Sequence, residues 1–337
     1  MLPTKSKFDE YAKMGLLRSQ IAPDKLLWIY TYSELTQFDR LWNSVTRNAR
    51  GIVFDDKGRC ITRCLPKFFN KDEPNAILEM PRDETYRIFE KKDGSLINIV
   101  NDPEYGLVVT SKGSFTSDHV GWAKEILQEN SITEESFKPG LTHVFELIYP
   151  ANRIVVNYGD EKKLVLLTVI ENETGNETTA DWPHQPKEYK LLELDLALKQ
   201  DNFEGVVFVY ENNYRVKIKT EEYVRLHRIM TGYSVKTIWE SLKDNKPLDL
   251  QNMPEEFMEW FETTKTQLLE AYAQIEIEAQ PWIKKARGFE LGSEIAEAIK
   301  DYQHKSIVWS ALKGRDYSEY IWKTIKPKGN SNPFESR

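Results

Sequence analysis

Two short stretches of the sequence place amines where they could work on phosphates. In FEKKDGSLINIV, residues 89–100, Lys91 and Lys92 run into Asp93-Gly94 between apolar, strand-like residues. In EGVVFVYENNYRVKIKT, residues 204–220, Arg215, Lys217 and Lys219 alternate with Val216, Ile218 and Thr220, so the three cations share one face of a strand. A lysine attacks only when unprotonated, and at a reference pKa of about 10.4 roughly one in two thousand is free near neutral pH. Nearby cations and partial burial lower that pKa and release the lone pair. The face bearing Lys217 and Lys219 would supply such cations and could afterwards hold a phosphate. Lys91 and Lys92 point to opposite faces of their strand, so only one of them can share a site with Ser95.

Each stretch also has a local reading. Asp-Gly between alternating segments is the strongest hairpin signal, because both residues tolerate positive φ, and the lysines would then be surface residues. The second stretch reads by itself as a solvated amphipathic hairpin. If Asn212-Asn213 is a two-residue turn, residue 211 pairs with 214, and Glu204 shares a face with Lys217, Lys219, Val206 and Phe208. A bulge would alter that. Elsewhere, Arg50 could pair with Asp55 or Glu90, Lys67 could cap KFFN, and Glu146 could be a buried partner of Arg153. Phe68 and Phe69 suit a core better than a base-stacking role. The five histidines show no metal spacing, and Ser95 and Ser114 lack a His/Asp constellation.

These residues need a scaffold, and 337 of them are enough for two domains with a substantial core. Residues 25–220 read as strands broken by Gly, Asn and Asp turns, with helical patches at 33–44, 118–130 and 188–200. That mixture is α+β rather than regular βαβ. After about residue 221 apolar residues recur every three or four positions, Pro254 is placed to begin a helix, and 326–337 is a polar tail expected to fray. The expected domains are 1–244, carrying the chemistry, and an α-helical domain over 245–337. A net charge of -7 means that any polyanion site must be local. Cys60 and Cys64 are too few for a disulfide framework, and no window approaches a membrane span, so a cytoplasmic protein with no membrane association is expected.

The chain resembles the covalent nucleotidyltransferases, the ligases and capping enzymes that join a nucleotide to the lysine of K-x-D-G. KKDGSLI looks like their motif I, with Lys91 as nucleophile and Lys92 at the variable position. VFELIYPANRIVV looks like motif III with Glu146, LLTVIENETG like motif IIIa, FEGVVFVY like motif IV with Glu204, and YRVKIKT like motif V with Lys217 and Lys219. ARGIVFD, PKFFN, TSKGSFTS and VKIKTEEYVRLHRIM narrow the likeness to the RNA ligase 1 group of the T-even bacteriophages, strongly over residues 30–230.

The resemblance implies an α+β nucleotidyltransferase fold, with ATP-grasp-like antiparallel sheets and helices, followed by an all-α C-terminal domain that chooses the RNA. It implies ATP as the nucleotide, AMP carried covalently on Lys91, and Mg²⁺ or Mn²⁺ held by Glu204. Arg50 and Lys67 would meet the β- and γ-phosphates, Lys217 and Lys219 the α-phosphate, and Glu146 the ribose. Glu90, Asp93 and Gly94 would frame the nucleotide, with Ser111 and Lys112 as weaker contacts. The implied partner is RNA with 5′-phosphate and 3′-hydroxyl ends, in tRNA repair, handled by a monomer in the cytoplasm of a host cell. Two rivals stay open: a superfamily enzyme sealing nicked duplexes, and an RNA-binding relative without chemistry. The intact Lys91, Glu146, Glu204, Lys217 and Lys219 argue against the second. The helical C-terminal pattern and the lack of GxxxxGK[ST] disfavour an OB-fold-bearing DNA ligase and a kinase-fused ligase.

Overall fold

The computed structural model describes residues 2–24, 26–81, 85–251, 253 and 255–329. Pro254 and residues 330–337 of the tail lie outside them. The chain forms two compact units, Met1–Val224 and Arg225–Arg337.

Among the described residues the first unit holds three sheets. β1 (Leu17–Ile21), β2 (Leu27–Tyr32), β3 (Arg50–Asp55) and β4 (Cys60–Thr62) make a four-stranded meander in chain order. It is accompanied by α1 (Lys5–Lys13), α2 (Glu34–Phe38) and α3 (Ser44–Asn48). β5 (Phe69–Asn70) and α4 (Pro74–Glu79) lead to β6 (Tyr86–Lys91), β7 (Ser95–Asp102), β8 (Gly106–Ser111), α5 (Asp118–Glu129), β9 (Leu141–Ile148), β10 (Lys163–Glu171) and β11 (Glu177–Thr178). β12 (Glu188–Tyr189), α6 (Leu194–Ala197), β13 (Gly205–Tyr210) and β14 (Arg215–Lys219) complete the unit. The second sheet has the order β11-β10-β9-β7-β8 and the third β12-β6-β13-β14-β5. All pairings are antiparallel except β14 with β5. The second sheet buries Ile97, Ile99, Phe145, Leu147 and Leu166 with Val120 and Ala123 of α5; the third buries Ile88, Val206, Phe208 and Val216.

Helical patches in the first unit are shorter than their sequences suggest. The 118–130 patch is α5, but of 33–44 only Glu34–Phe38 forms a helix, α2, with α3 starting at its last residue, and 188–200 becomes β12, a 3₁₀ turn and α6. Leu191, Leu192 and Leu196 stay exposed there, so these segments lack the buried stripe that makes a long helix pay for its ordering.

The second unit is helical. α7 (Glu221–Gly232) spans the division, followed by α8 (Val235–Asp244), α9 (Glu255–Ala286), α10 (Gly292–Ala298), α11 (Lys305–Leu312) and α12 (Ser318–Thr324). α8 belongs with these helices rather than with the sheets, since the Trp239 indole donates to the Trp322 carbonyl at 2.9 Å. The division therefore precedes the 244/245 boundary drawn from the change in period. Among the described residues no helix is long and apolar enough to cross a membrane.

Candidate active site

Lys91 ends β6, and the chain does not turn back there. β6 belongs to the third sheet and β7 to the second, so Lys92-Asp93-Gly94 is a crossing between sheets and the expected hairpin is absent. The reason lies far off in sequence. Asp93 is buried, its Oδ2 accepts from the N–H groups of Val155 and Val156 at 2.9 Å, and its Oδ1 accepts from the Tyr223 hydroxyl at 2.7 Å. A buried carboxylate needs such donors, and they hold the crossing as a turn of its own would. Gly94 lies against β9: a Cβ there would meet the Leu147 carbonyl oxygen at 2.3 Å, and its N–H donates to Glu146 Oε1 at 3.1 Å.

β13 lies between β6 and β14. Its loop to β14 holds three residues, with Asn213 at φ 62°; the Tyr210 N–H donates to the Tyr214 carbonyl and the Tyr210 carbonyl accepts from the Asn213 N–H, both at 2.9 Å. The register is Gly205 with Lys219 and Val207 with Lys217, one step from the expected pairing. The cations therefore share their face with Val207 and Val209, and Val206 and Phe208 go to the core. A regular pleat would then send Glu204 to the core side as well. Gly205, at φ +146°, breaks the alternation, and no other residue fits, because a Cβ would lie 2.0 Å from the Ile218 carbonyl oxygen.

Glu204 thus reaches both lysines. Its Oε2 is 2.9 Å from Lys91 Nζ and its Oε1 is 2.9 Å from Lys219 Nζ, with only 2% of the Glu204 side chain exposed. β6 pairs Lys91 with Gly205, which sets the nucleophile candidate beside this carboxylate.

These groups line a cleft of about 500 Å³. Arg50, at the start of β3, and Lys67 bring two more cations; the Arg50 guanidinium donates to the Leu65 carbonyl at 3.1 Å, not to Asp55. Asp55 is taken by Arg59. Glu90, Gly94, Ser111, Lys112 and Glu146 also border the cleft, and Asp93 lies behind its wall. Lys112 Nζ donates to the Tyr32 hydroxyl at 2.7 Å. Lys92, expected to face outward, lies on the cleft wall 2.6 Å from Glu90, with 14% of its side chain exposed. Phe69 is core, but Phe68 borders the cleft, with Lys217 Nζ 5.7 Å from its ring. Tyr32, Leu96, His119, Leu167 and Val207 also line it, and no spacing in the sequence marks them. His119 is a lone histidine, held below its ordinary pKa by burial.

Electrostatics correct the expected route to reactivity. Burial alone would lower the Lys91 pKa, but Glu204, Glu146 and Asp93 outweigh it and hold Lys91 above the ordinary lysine value. The cations act on Lys217 instead. Burial, then Lys67, Lys91, Lys219 and Arg50, bring it down to about 6. Burial raises Glu146 to about 7, reinforced by Glu204 and Asp93 and opposed by Lys91. Burial also pulls Lys67 down, while Lys112, Arg50 and Lys67 together overcome burial and lower Tyr32.

Among the described residues no three His, Cys, Asp or Glu side chains surround a common point. Both Glu204 oxygens already face ammonium groups. The donor set therefore suits a hard cation held mostly by phosphate oxygens and water, with one or two carboxylates, and not a protein cage.

Residues 48–190 match the family model described as RNA ligase. Across that segment the chain is similar to the RNA ligase family. The matched segment carries Arg50, Lys67, Lys91, Lys112 and Glu146, and Glu204, Lys217 and Lys219 lie beyond its end. A provisionally named RNA ligase of Thermovibrio ammonificans is 31% identical over 153 residues, covering 44% of this chain and 39% of that protein. A provisionally named bifunctional polynucleotide kinase/RNA ligase of Autographa californica nuclear polyhedrosis virus is 25% identical over 218 residues, covering 55% of this chain and 31% of that protein. The chain thus spans about a third to two fifths of the length of these two relatives. Among solved structures, an archaeal ATP-dependent RNA ligase aligns over 93% of this chain and 96% of its own, with 14% identity and a TM-score of 0.45.

Proposed function

We propose that the protein is an ATP-dependent RNA ligase that joins 5′-phosphate and 3′-hydroxyl ends through lysyl-AMP and RNA-adenylate intermediates. The observation that carries this reading is the placement of Lys91 Nζ 2.9 Å from Glu204, in a cleft that also gathers Arg50, Lys67, Lys112, Lys217 and Lys219. In the first step Lys91 Nζ forms a bond to the α-phosphorus of ATP, the bond to the bridging oxygen breaks, and pyrophosphate leaves. AMP then passes to the RNA 5′-phosphate, and attack by a 3′-hydroxyl seals the strand and releases AMP. Each step is phosphoryl transfer, where positioning and charge neutralisation do most of the catalysis.

Lys91 must first lose the proton that its acidic neighbours stabilise. Glu204 Oε2 is the acceptor in contact with it. Lys217 and Lys219 hold the α-phosphate, Arg50 and Lys67 the two outer phosphates, and Ser111 and Lys112 border the same space. A divalent cation, Mg²⁺ or Mn²⁺, seated at Glu204 and Glu146 would supply charge to the phosphate oxygens and offset the negative field on Lys91. Residues 245–337 are assigned the choice of RNA, with a tRNA break as the substrate implied by the resemblance.

The test is incubation with α-labelled ATP and Mg²⁺, denaturing electrophoresis and peptide mapping, followed by ligation of single-stranded RNA against nicked duplexes. Label on the Lys91 peptide and preference for single-stranded RNA are expected. Absence of covalent AMP refutes the reading.

A further inference from the structure

A second cavity, of about 290 Å³, continues the cleft away from Lys91. The two share Leu65, Phe68, Glu90, Leu167 and Val207 as common walls, so they meet at a largely apolar waist. Beyond it the walls follow alternate strand positions: Phe89 then Arg87 on β6, Val209 on β13 and Arg215 on β14. At about 3.3 Å per residue, Arg87 is roughly 13 Å along β6 from Lys91. The far wall is built, since Arg215 forms an ion pair with Glu177, itself bonded to the Thr168 hydroxyl at 2.8 Å.

The position of the base rests on the proposed function. With the triphosphate among the cations and the α-phosphorus at Lys91, the base occupies the waist, between Phe68, Leu167 and Val207. The edge of adenine farthest from the ribose bears the N6 amino group, and it faces the chamber. Roughly 150 Å³ of apolar cavity accommodates a benzene ring. The chamber is larger than that.

We propose that the base site is open at its inner end, so that the enzyme accepts adenosine triphosphates carrying an aromatic substituent on N6, with Phe89 and Val209 as the walls that set the limit. The atoms transferred are unchanged: the modified AMP joins Lys91 Nζ and pyrophosphate leaves.

The experiment compares covalent labelling from ATP and from N6-benzyl-ATP in the full chain, by intact mass. The unaltered protein is expected to label with N6-benzyl-AMP within about tenfold of the ATP rate, the scale of discrimination an apolar pocket can impose. Val209→Trp, which fills the chamber beyond the waist, is expected to lose N6-benzyl-ATP at least about tenfold more than ATP. Thr179→Trp at the exposed rim is the gentler second plug, and the ATP rate of each variant reports its folding. Labelling by ATP without labelling by N6-benzyl-ATP overturns this inference alone. Equal losses of both substrates in both variants also overturn it. Failure of ATP itself to label the unaltered protein overturns the proposed function, and this inference with it.

Discussion

β6 and β14 stand on either side of β13, and β6 presents Lys91 and β14 presents Lys217 and Lys219 to the same cleft. Their lysines nonetheless differ in electrostatic state. Lys91 on β6 and Lys219 on β14 both rest on Glu204, and Lys91 is held above the ordinary lysine pKa by carboxylates. Lys217, two residues from Lys219, is buried and surrounded by cations, and falls to about 6. The amine that loses its proton most readily is thus not the one set beside Glu204. What distinguishes a nucleophile here is where it stands, and ease of deprotonation goes to the residue proposed to receive a phosphate.

The sharpest way to break this comparison is Lys91→Ala. Covalent AMP is expected to vanish, since loss of a covalent nucleophile costs on the order of 10⁴-fold or more, even though Lys217 remains with its lone pair free. Peptide mapping that finds AMP on Lys217 would reverse the assignment. Next in size, Lys217→Ala is expected to slow labelling of Lys91 by about 10²–10³-fold, the scale of removing one charge-stabilising donor. A change in which peptide is labelled would show that Lys217 does more than that. Lys92→Ala is expected to cost less than about tenfold, because Lys92 is bound to Glu90 and not to Glu204. Loss of labelling there with Lys91 intact would move the nucleophile by one residue.

The smallest effect is on stability. Lys217 has a folded pKa near 6 and an unfolded value of about 10.4, so the unfolded chain binds more protons between these limits and stability rises with pH across them. Thermal unfolding of the full chain at pH 6.0 and 8.5 should show a gain that Lys217→Met lacks, on the order of a few degrees. An identical gain in both proteins would remove Lys217 from the cationic cluster.

Much of this was readable from residue types. The alternation in RVKIK gave the shared face of Arg215, Lys217 and Lys219, and the motif order joined Lys91 to Glu204 across 113 positions. The Asp93-Gly94 hairpin was misread because Asp-Gly reports only local preference. Donors 62 and 63 residues away decide that the chain crosses between sheets. The register of β13 and β14 slipped by one because Asn212-Asn213 reads equally well as a two-residue turn or as the end of a three-residue one, and a one-residue shift exchanges the faces. The direction of the Lys91 shift was hidden for another reason. It is a contest between burial and three carboxylates, and a sequence gives neither the depth of the site nor the distances within it.

The odd-numbered loop of β13 and β14 also constrains what insertions and deletions this gene can carry. Residues 211–213 set which side of the sheet each later residue meets. Adding or removing two residues would keep that parity. A single-codon change would have to be absorbed by a bulge, or it would carry Lys217 and Lys219 into the core and Val216 and Ile218 out of it. In lineages that share this hairpin, its length should therefore drift in steps of two.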